Sequence, residues 1–577
     1  MDFQTLRKYM QIKTDLVRKK TNLIVILLLI LFIGTFLRFV QLDSNPPALY
    51  QDESAIGFNA YSILETGKDE HGEDYPLYFQ SFGDYKLPVY IYLTSISIKL
   101  FGLNEFAVRF PSALFGSLAI LIVFLFVRKL SHNDILSLIV AFFIAINPQH
   151  IFFSRAGFEV NVANTFLLFG LYLFVIYIQK KQLIIGLFSA LLFALSLYSY
   201  NVTRMLVPIL VLILLISFKK ELRKIPIKHF VGIGGISFLL ILPFISTLLG
   251  SSGLASAGGV LIFSQDTFAK HIEMRSYLET LPQLYVKLLY NNYIMSIFTY
   301  FTNFAKILSG TFFFVEGTQH GNQGMGNVGY FYLYDLPLFI IGIIYSFKKK
   351  LAYLKIAFLW LIIDISILAL SKDVPHATRG FFLIVPVVIF SGLGLFEIIL
   401  YIRNFPKLFR YCLVFVGAFI IFFNVQFFLA SYFLRFPKVY ASNWRHEDKE
   451  LVDYLKLNEA KYDEIIIDRS ANVAYTSILF YLPFDPKLFV ESARYEQDGN
   501  LIAAVSFGKY IFRPIDWNSD LKRKNVLIIT NDKKKEYDDV VIHIIKNPKK
   551  YVVISVNDSL VQYPEEETKY ILIESRR

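Results

Sequence analysis

Long apolar runs constrain this chain more than any other feature of its sequence. A membrane-spanning helix needs roughly 20 mostly apolar residues, and runs of this kind are centred near residues 30, 120, 140, 170, 190, 210, 240, 340, 362, 390 and 422. Only 18% of the 577 residues are charged, whereas soluble domains carry about a quarter. The sequence therefore predicts a polytopic α-helical membrane protein with about eleven spans.

Basic residues mark every second loop between these runs. They cluster before Asn22 and at Arg128-Lys129, Lys180-Lys181, Lys219 to Lys228, Lys348 to Lys350 and Arg403 to Arg410. Cytoplasmic loops carry such an excess of Lys and Arg. The pattern predicts a multi-pass protein of the plasma membrane, with its N-terminus in the cytoplasm and its C-terminus outside. It also explains the net charge of +12 without nucleic acid as a partner.

The first apolar run, Asn22 to Leu37, follows three basic residues, as a signal peptide would. No small-residue cleavage site comes after it, so we interpret the run as a retained span. Two long loops, residues 43–112 and 249–330, then fall on the outer side. Each contains an interrupted apolar stretch, Val89 to Leu100 and Tyr285 to Leu308, that is typical of an amphipathic helix at the membrane interface.

The character of the chain changes after about residue 434. Short β-branched runs between polar turns predict strands at Glu464 to Asp468, Asn525 to Thr530, Val540 to Ile545, Tyr551 to Val556 and Tyr570 to Ile573. We therefore expect a membrane domain over residues 1–434 and a small extracytoplasmic α/β domain over residues 435–577. No catalytic motif stands out in the second part.

Residues able to carry chemistry lie in the loops of the predicted outer side. Asp52 and Glu53 form an adjacent pair of carboxylates beyond the first span, where one of them can act as a general base. The plain structural alternative is that Asp52 caps a helix and favours its dipole, and the two roles are compatible. Adjacent carboxylates cannot be ranked from sequence, so Glu53 is an equal candidate for the base.

Several motifs of these loops occur together in one known group of enzymes. The pair Asp52-Glu53 is followed by Lys86-Leu-Pro88 and by Phe101-Gly-Leu-Asn-Glu105-Phe-Ala-Val-Arg109-Phe-Pro111-Ser. Further along come Asn147-Pro-Gln-His150 with Arg155 and Glu159, Tyr198-Ser-Tyr200-Asn-Val-Thr-Arg204, Gly326 to Pro337, and Pro375-His376-Ala-Thr-Arg379. In this order they resemble the GT-C superfamily, in the branch of protein-O-mannosyltransferase-like and aminoarabinose-transferase-like enzymes.

The resemblance implies a GT-C membrane fold, a sugar donor linked to polyprenyl phosphate, and inversion at the anomeric carbon. It assigns Lys86, at the family's Lys-x-Pro position, to the donor phosphate. The second proline usual after that lysine is replaced by Leu87, which is a departure from the pattern. Glu159 falls where relatives carry a second acidic residue, which orients the acceptor or base or holds a metal.

The chemistry of such a transfer fits these residue types. A carboxylate of pKa about 4 cannot deprotonate a hydroxyl beforehand, but it can take the proton as the new bond forms, which contributes roughly 10²–10⁴-fold. The leaving lipid phosphate needs cations nearby. Asp52 is our choice for the base. The side chains expected to bind substrate are Lys86, Arg155, Tyr200, Arg204, His376 and Arg379.

Each of these residues also has a purely structural interpretation. A cation at the interface can hold a lipid headgroup or a helix end, Glu159 can be a solvated helix-start residue, and a single loop histidine such as His376 is often structural. No His/Cys cluster has zinc spacing. A divalent cation on Asp52, Glu53 and Glu159 is chemically feasible, but a monophosphate donor does not demand one. We therefore predict that no metal or other cofactor is required.

Two other classes of function compete with a glycosyltransferase. A transporter or flippase of lipid-linked sugars would also have many spans, but it usually carries polar groups at mid-membrane and repeated halves, which are not visible here. A non-catalytic membrane anchor would leave Asp52, Lys86 and Glu159 unexplained. The identity of the sugar is not encoded in any pattern we recognise, and the acceptor can be a lipid, a glycan or a protein.

Overall fold

The computed structural model describes residues 3–248, 261–278, 280–318, 320–349, 351, 354–498, 501–532, 541–546, 550–556, 559–565 and 568–574. Parts of three sequence features therefore lie outside the described residues. These are residues 249–260, 279 and 319 of the second long loop, Lys350 of one basic cluster, and Val540 at the start of one predicted strand.

Helices dominate the first three quarters of the chain. They are α1 (Phe3–Phe39), α2 (Gln51–Thr66), α3 (Pro88–Phe101), α4 (Glu105–Ser131), α5 (Asp134–Ile146), α6 (Pro148–Ser154), α7 (Glu159–Lys180), α8 (Leu183–Leu197), α9 (Thr203–Ser217), α10 (Lys219–Leu222), α11 (Ile227–Leu248), α12 (Gln265–Ser276), α13 (Gln283–Leu289), α14 (Asn292–Ile307), α15 (Asp335–Lys348), α16 (Lys355–Ala369), α17 (Ile384–Ile402), α18 (Lys407–Ala430) and α19 (Phe436–Val439). Short 3₁₀ or π turns occupy Thr311–Val315, Arg379–Leu383 and Ser431–Arg435.

All eleven predicted span centres fall inside one of these helices. Within the described residues, however, only five helical segments are long and apolar enough to cross a membrane, or six if the bent pair α5–α6 is one span. The five are Thr21–Phe39, Glu105–Ser131, Glu159–Lys180, Arg379–Ile402 and Lys407–Val439. Helices such as α8 and α9, with 15 residues each, are apolar but shorter than the roughly 20 residues that a span needs. The fold is a helical membrane bundle, and the count of eleven spans stays a prediction.

Local sequence signals explain where the helices near the first long loop begin and end. The side chain of Asn104 accepts a hydrogen bond from the Ala107 N–H and so caps α4. Pro88 stands in the first turn of α3, where its missing N–H costs nothing. Gly67 ends α2 at φ 75°, a left-handed conformation that glycine adopts without strain. Between α3 and α2 the strands β1 (Phe79–Ser81) and β2 (Asp84–Lys86) form an antiparallel hairpin.

The last part of the chain contains a mixed seven-stranded sheet, with strand order β4-β5-β6-β3-β7-β11-β8. Its central strand, β3, runs parallel to both neighbours, and the other pairs are antiparallel. The strands are β3 (Glu464–Ile467), β4 (Arg494–Asp498), β5 (Leu501–Phe507), β6 (Tyr510–Phe512), β7 (Val526–Thr530), β8 (Val541–Lys546) and β11 (Thr568–Glu574), with a separate hairpin of β9 (Lys550–Val556) and β10 (Ser559–Glu565). Each of the five predicted strand runs overlaps an observed strand.

Four helices accompany this sheet: α20 (His446–Asn458), α21 (Tyr475–Tyr481), α22 (Pro486–Ser492) and α23 (Trp517–Asp520). We call residues 446–574 the C-terminal region. Its core is continuous with the first long loop, because Leu49, Phe58 and Val108 pack into the same buried cluster as Ile465 and Leu479. The Ser54 and Thr476 hydroxyls lie 2.7 Å apart across this contact. Helices α21 and α22 of the C-terminal region therefore support helix α2 directly.

Candidate active site

A cavity of about 260 Å³ brings together five of the residues singled out in the sequence. They are Asp52, Lys86, Glu159, Tyr200 and His376. The rest of its wall is neutral, and consists of Tyr50, Tyr85, Leu87, Phe158, Val160, Ser199, Asn201, Asn322, Gln323 and Thr378. Six segments that are distant in the chain therefore meet at one place, with charge confined to two carboxylates and one lysine.

Asp52 and Lys86 form the polar centre of this cavity. Asp52 lies in the first turn of α2, and Lys86 ends strand β2 just before α3. The lysine Nζ donates to Asp52 Oδ1 at 2.7 Å. The lysine side chain is only 8% exposed, whereas that of Asp52 is 46% exposed. The carboxylate therefore remains accessible from the cavity while a covered ammonium group holds one of its oxygens.

Glu53 points away from the cavity and belongs to a different arrangement. It is fully buried and forms an ion pair with Arg109, with Oε1 3.1 Å from Nε. Oε1 also accepts a 2.6 Å hydrogen bond from the Gly157 N–H. Burial raises the pKa of Glu53, and the guanidinium of Arg109 and the Gly157 N–H oppose that rise. Successive residues of a helix diverge by about 100°, which is why these adjacent carboxylates have different environments.

Arg109 extends this arrangement into the backbone of the first long loop. Its Nη1 and Nη2 donate to the carbonyl oxygens of Leu42, Pro46 and Ala48. The guanidinium thus fastens helix α4 to the segment that leads into α2. Through Glu53 it also ties α2 to the loop that precedes Glu159. The pair holds the elements that carry Asp52 and Glu159, but neither Glu53 nor Arg109 lines the cavity.

Glu159 begins helix α7 and lies in the same wall as Asp52. Tyr50, which the sequence did not mark, lines the same cavity and is close enough to feel both charges. Burial raises the pKa of the Tyr50 hydroxyl well above its ordinary value, and the neighbouring charges of Asp52 and Glu159 raise it further. The phenol therefore remains protonated and can donate a hydrogen bond. The sequence could have pointed to Tyr50, because this residue directly precedes the helix whose first turn contains two acidic residues.

His376 contributes a neutral imidazole to the cavity. Its Nδ1 is 3.0 Å from the Thr378 hydroxyl. Burial, followed by the positive charge of Arg379 and the neighbouring His320, lowers the pKa of His376 to about 3. The ring is therefore uncharged at neutral pH. With Nδ1 facing Thr378, it offers Nε2 to a bound molecule, as donor or acceptor according to the tautomer.

The three predicted arginines are not part of the described cavity wall. Arg155 donates to the carbonyl oxygens of Leu37, Gln41 and Asn45, and so fastens the end of α1. Arg204 donates to the Tyr78 hydroxyl at 2.7 Å. Arg379 lies near His376, and its Nη1 is buried without a hydrogen-bond partner among the described residues. The first two have structural partners that sequence alone could not identify.

Other wall residues escaped the sequence analysis. Ser199 and Asn201 flank Tyr200 within a motif that was already recognised, so their position was the signal. Asn322 and Gln323 come from the second long loop, where no pattern marked them. As for metals, no group of three or more His, Cys, Asp or Glu side chains in the described part of the chain is arranged to hold an ion.

Comparisons with known proteins agree with this architecture. Residues 85–246 match the family model described as dolichyl-phosphate-mannose-protein mannosyltransferase. The solved structure of ArnT from Cupriavidus metallidurans bound to undecaprenyl phosphate superposes with a TM-score of 0.51 at 10% identity, over 95% of this chain and 97% of that one. This chain has the GT-C fold. The resemblance noted in the sequence is thereby confirmed, with the family signal carried by residues 85–246.

A second GT-C structure supports the same conclusion. The archaeal oligosaccharyltransferase AglB from Archaeoglobus fulgidus, in complex with an inhibitory peptide and a dolichol-phosphate, has a TM-score of 0.51 at 16% identity over 80% of this chain. The present chain spans only 64% of the length of that GT-C protein. No curated protein sequence matches the chain.

Proposed function

We propose that this protein is an inverting glycosyltransferase of the membrane, which transfers a sugar from a polyprenyl-phosphate donor to a hydroxyl group on the extracytoplasmic side. The observation that carries the proposal is the Asp52–Lys86 pair in a cavity that also contains Glu159. It supplies an accessible carboxylate for the acceptor and a cation for a phosphate. The GT-C fold and the family match over residues 85–246 support the same reaction class.

In this reaction the acceptor oxygen attacks the anomeric carbon as the bond from that carbon to the phosphate oxygen breaks. Asp52 takes the acceptor proton, and the phosphate leaves with the bonding electrons and stays on Lys86. Inversion requires the attacking and leaving oxygens to lie on opposite faces of the sugar. The 2.7 Å contact between Asp52 and Lys86 therefore describes the site before the donor binds. Donor phosphate takes the lysine and releases the carboxylate.

The neutral part of the wall suits a sugar. Aromatic faces from Tyr50, Tyr85, Phe158 and Tyr200 accompany hydroxyl and amide groups such as those of Ser199 and Asn322. Ligand pockets usually measure about 300–1,000 Å³, so a cavity of about 260 Å³ favours one hexose or pentose over an oligosaccharide. Glu159 and His376 are placed to bind hydroxyl groups of the sugar or acceptor, whether the latter is a lipid, a glycan or a protein.

The lipid part of the donor has a separate apolar space. A cavity of about 500 Å³ lies between α7, α8, α9 and α11, lined by side chains such as Phe193, Leu197 and Val207. Leu197 ends α8, and Ser199, two residues further on, lines the polar cavity. A polyprenyl tail held in the apolar cavity would thus place its phosphate near the polar cavity.

We propose about eleven spans in the plasma membrane, with the N-terminus cytoplasmic and the C-terminal region outside.

The proposal is tested by the transfer of radiolabelled sugar from polyprenyl-phosphate donors in membranes that contain wild type or Asp52→Asn protein. Asp43→Asn is the matched control, since Asp43 is an exposed carboxylate of the same loop outside the cavity. We expect a loss of about 100-fold or more for Asp52→Asn and none for the control. If both variants transferred sugar equally well, Asp52 would not be the base, and Glu159 would become the candidate.

Two further outcomes separate the alternatives. Movement of a lipid-linked sugar across the membrane without any transfer product would indicate a transporter rather than an enzyme. We also propose that no divalent cation is required, because Lys86 already supplies positive charge for a monophosphate. Loss of transfer with EDTA, restored by Mg²⁺ or Mn²⁺, would contradict that part of the proposal.

A further inference from the structure

A buried carboxylate outside the cavity connects the elements that carry Asp52 and Lys86 to the C-terminal region. Glu70, in the loop after α2, is 1% exposed. Its Oε1 accepts hydrogen bonds from Asn59 Nδ2 at 3.0 Å and from the Ser81 hydroxyl. Its Oε2 accepts a 2.9 Å hydrogen bond from the Tyr475 hydroxyl. A buried carboxylate with three donors is fixed in place, because displacement would leave a charge unpaired.

The three donors belong to three different parts of the protein. Asn59 lies on α2, two turns after Asp52 and on the same side of the helix. Ser81 ends β1, the strand that pairs with the one ending at Lys86. Tyr475 opens α21 in the C-terminal region. A single carboxylate thus sets the distance between the helix that carries Asp52 and the hairpin that carries Lys86.

The backbone of the same loop repeats these links. The Glu70 N–H donates to Asn59 Oδ1 at 3.0 Å, and the Glu70 carbonyl accepts from the Tyr495 hydroxyl at 3.1 Å. The hairpin also rests on the C-terminal region, since the ring of Phe82 lies 5.1 Å from that of Tyr475. The Tyr475 ring therefore packs on the hairpin, while its hydroxyl reaches Glu70.

We propose that Glu70 is a positioning residue for donor binding, and that the C-terminal region acts on the site through the Tyr475 hydroxyl. This inference rests on the proposed function, in which Lys86 holds the lipid phosphate. Without the Tyr475 bond the Glu70 carboxylate relaxes, the hairpin shifts with Ser81, and the Lys86 ammonium leaves its place beside Asp52. Donor binding then weakens although no residue of the cavity has changed.

The decisive variant is Tyr475→Phe, which removes the hydroxyl and keeps the ring that packs on Phe82. Glu70→Ala removes three hydrogen bonds at once and risks unfolding, so it is the secondary variant. Tyr570→Phe is the matched control. The Tyr570 hydroxyl also donates to a buried carboxylate of the C-terminal region, that of Asp448, and Tyr570 is buried to the same degree as Tyr475. Among the described contacts, neither Tyr570 nor Asp448 bonds to Glu70 or to the hairpin. Asp448 is linked to the start of α21 instead, through a 3.1 Å hydrogen bond from the Ala474 N–H that Tyr570→Phe leaves in place.

Two measurements on the purified full chain in detergent test the inference. One is the rate of acetylation of Lys86 relative to other lysines, followed by mass spectrometry, which reports its position without any assumption about function. The other is the dissociation constant for undecaprenyl phosphate. We expect Tyr475→Phe to raise Lys86 labelling several-fold and to weaken binding by about 5- to 10-fold, while Tyr570→Phe changes neither and lowers Tm by a similar amount.

Unchanged Lys86 labelling in Tyr475→Phe, with the same loss of Tm as the control, would overturn the inference. Faster labelling together with wild-type protein that does not bind undecaprenyl phosphate would support the positioning contact and overturn the phosphate-binding role of Lys86. The two failures are thus distinguishable.

Discussion

Lys86 Nζ lies 2.7 Å from Asp52 Oδ1, although 34 residues separate the two in the chain. The short hairpin β1–β2 brings the lysine back to the helix that follows the first span. Because the carboxylate is the more exposed partner, a ligand reaches Asp52 first and must compete with it for the lysine. The donor phosphate is a diester with one charge, equal to that of the carboxylate, and the lipid monophosphate that leaves carries about −1.5 to −2. Lys86 therefore holds the leaving phosphate more strongly than it holds the donor.

We expect Lys86→Ala to raise the KM for the donor by about 10- to 100-fold, which corresponds to the loss of one charged hydrogen bond. Lys86→Arg should fall between wild type and alanine, since it keeps the charge but not the compact ammonium geometry. Steady-state kinetics with a polyprenyl-phosphate sugar measure this. Lys68→Ala is the control, because Lys68 belongs to an exposed ion pair outside the cavity. An unchanged KM in Lys86→Ala would contradict the phosphate role.

We expect Arg109→Ala to lower stability by about 3–5 kcal/mol, because it leaves the buried carboxylate of Glu53 without its cation. Arg128→Ala, on the same helix, removes an exposed ion pair with Asp134 and should cost about 0–1 kcal/mol. Thermal unfolding of the two variants in detergent compares them. Equal shifts in Tm would show that the Glu53–Arg109 pair does not hold the segments around the site.

The histidine of the cavity should make stability depend on pH. The pKa of His376 is about 3 in the folded protein, against an ordinary value of 6.5. Below about pH 6.5 the unfolded chain therefore binds a proton that the folded protein does not. The contribution of the neutral His376 to the free energy of unfolding is fully present above that pH, and it falls as the pH drops towards 3. Between pH 7.5 and 5, the Tm of wild type should fall more steeply than that of His376→Gln, and parallel curves would contradict this assignment.

The proposed topology is open to a direct test. Cys412 is the single cysteine, so Cys412→Ser provides a background without thiols. Lys372→Cys should then react with a membrane-impermeant maleimide added to intact cells, and Lys220→Cys should react only after lysis, because the positive-inside pattern places them on opposite sides. Labelling of Lys220→Cys in intact cells would show that the orientation is the opposite of the one proposed.

Much of the fold could be predicted from the sequence because its main signals are local. Long apolar runs predict helices, and short β-branched runs predict strands. The ordered motifs pointed to Asp52, Lys86, Glu159, Tyr200 and His376, and these residues do line one cavity in the structure. The partners of Arg109 and Arg155 could not be predicted, since both bind backbone carbonyls whose positions depend on packing between distant segments. The partners of Glu53 also required the structure, because Arg109 and Gly157 belong to other segments of the chain.

Asn322 and Gln323 show a different limit. Side chains of this type occur in any polar loop, and only the three-dimensional path of that loop brings them to the cavity. Glu70 is a similar case, because a carboxylate in a charged loop is ordinarily solvated. Its role became visible only through the three donors around it.

The core that Leu49 and Phe58 share with strands of the C-terminal region also has a consequence for biosynthesis. These two residues leave the ribosome some 400 positions before their packing partners around Ile465 and Leu479. Helix α2 must therefore wait, with one face uncovered, while the membrane bundle is inserted behind it. Nascent chains arrested before residue 446 should accordingly be sensitive to proteolysis around α2, and the candidate cavity should be the last feature of the molecule to mature.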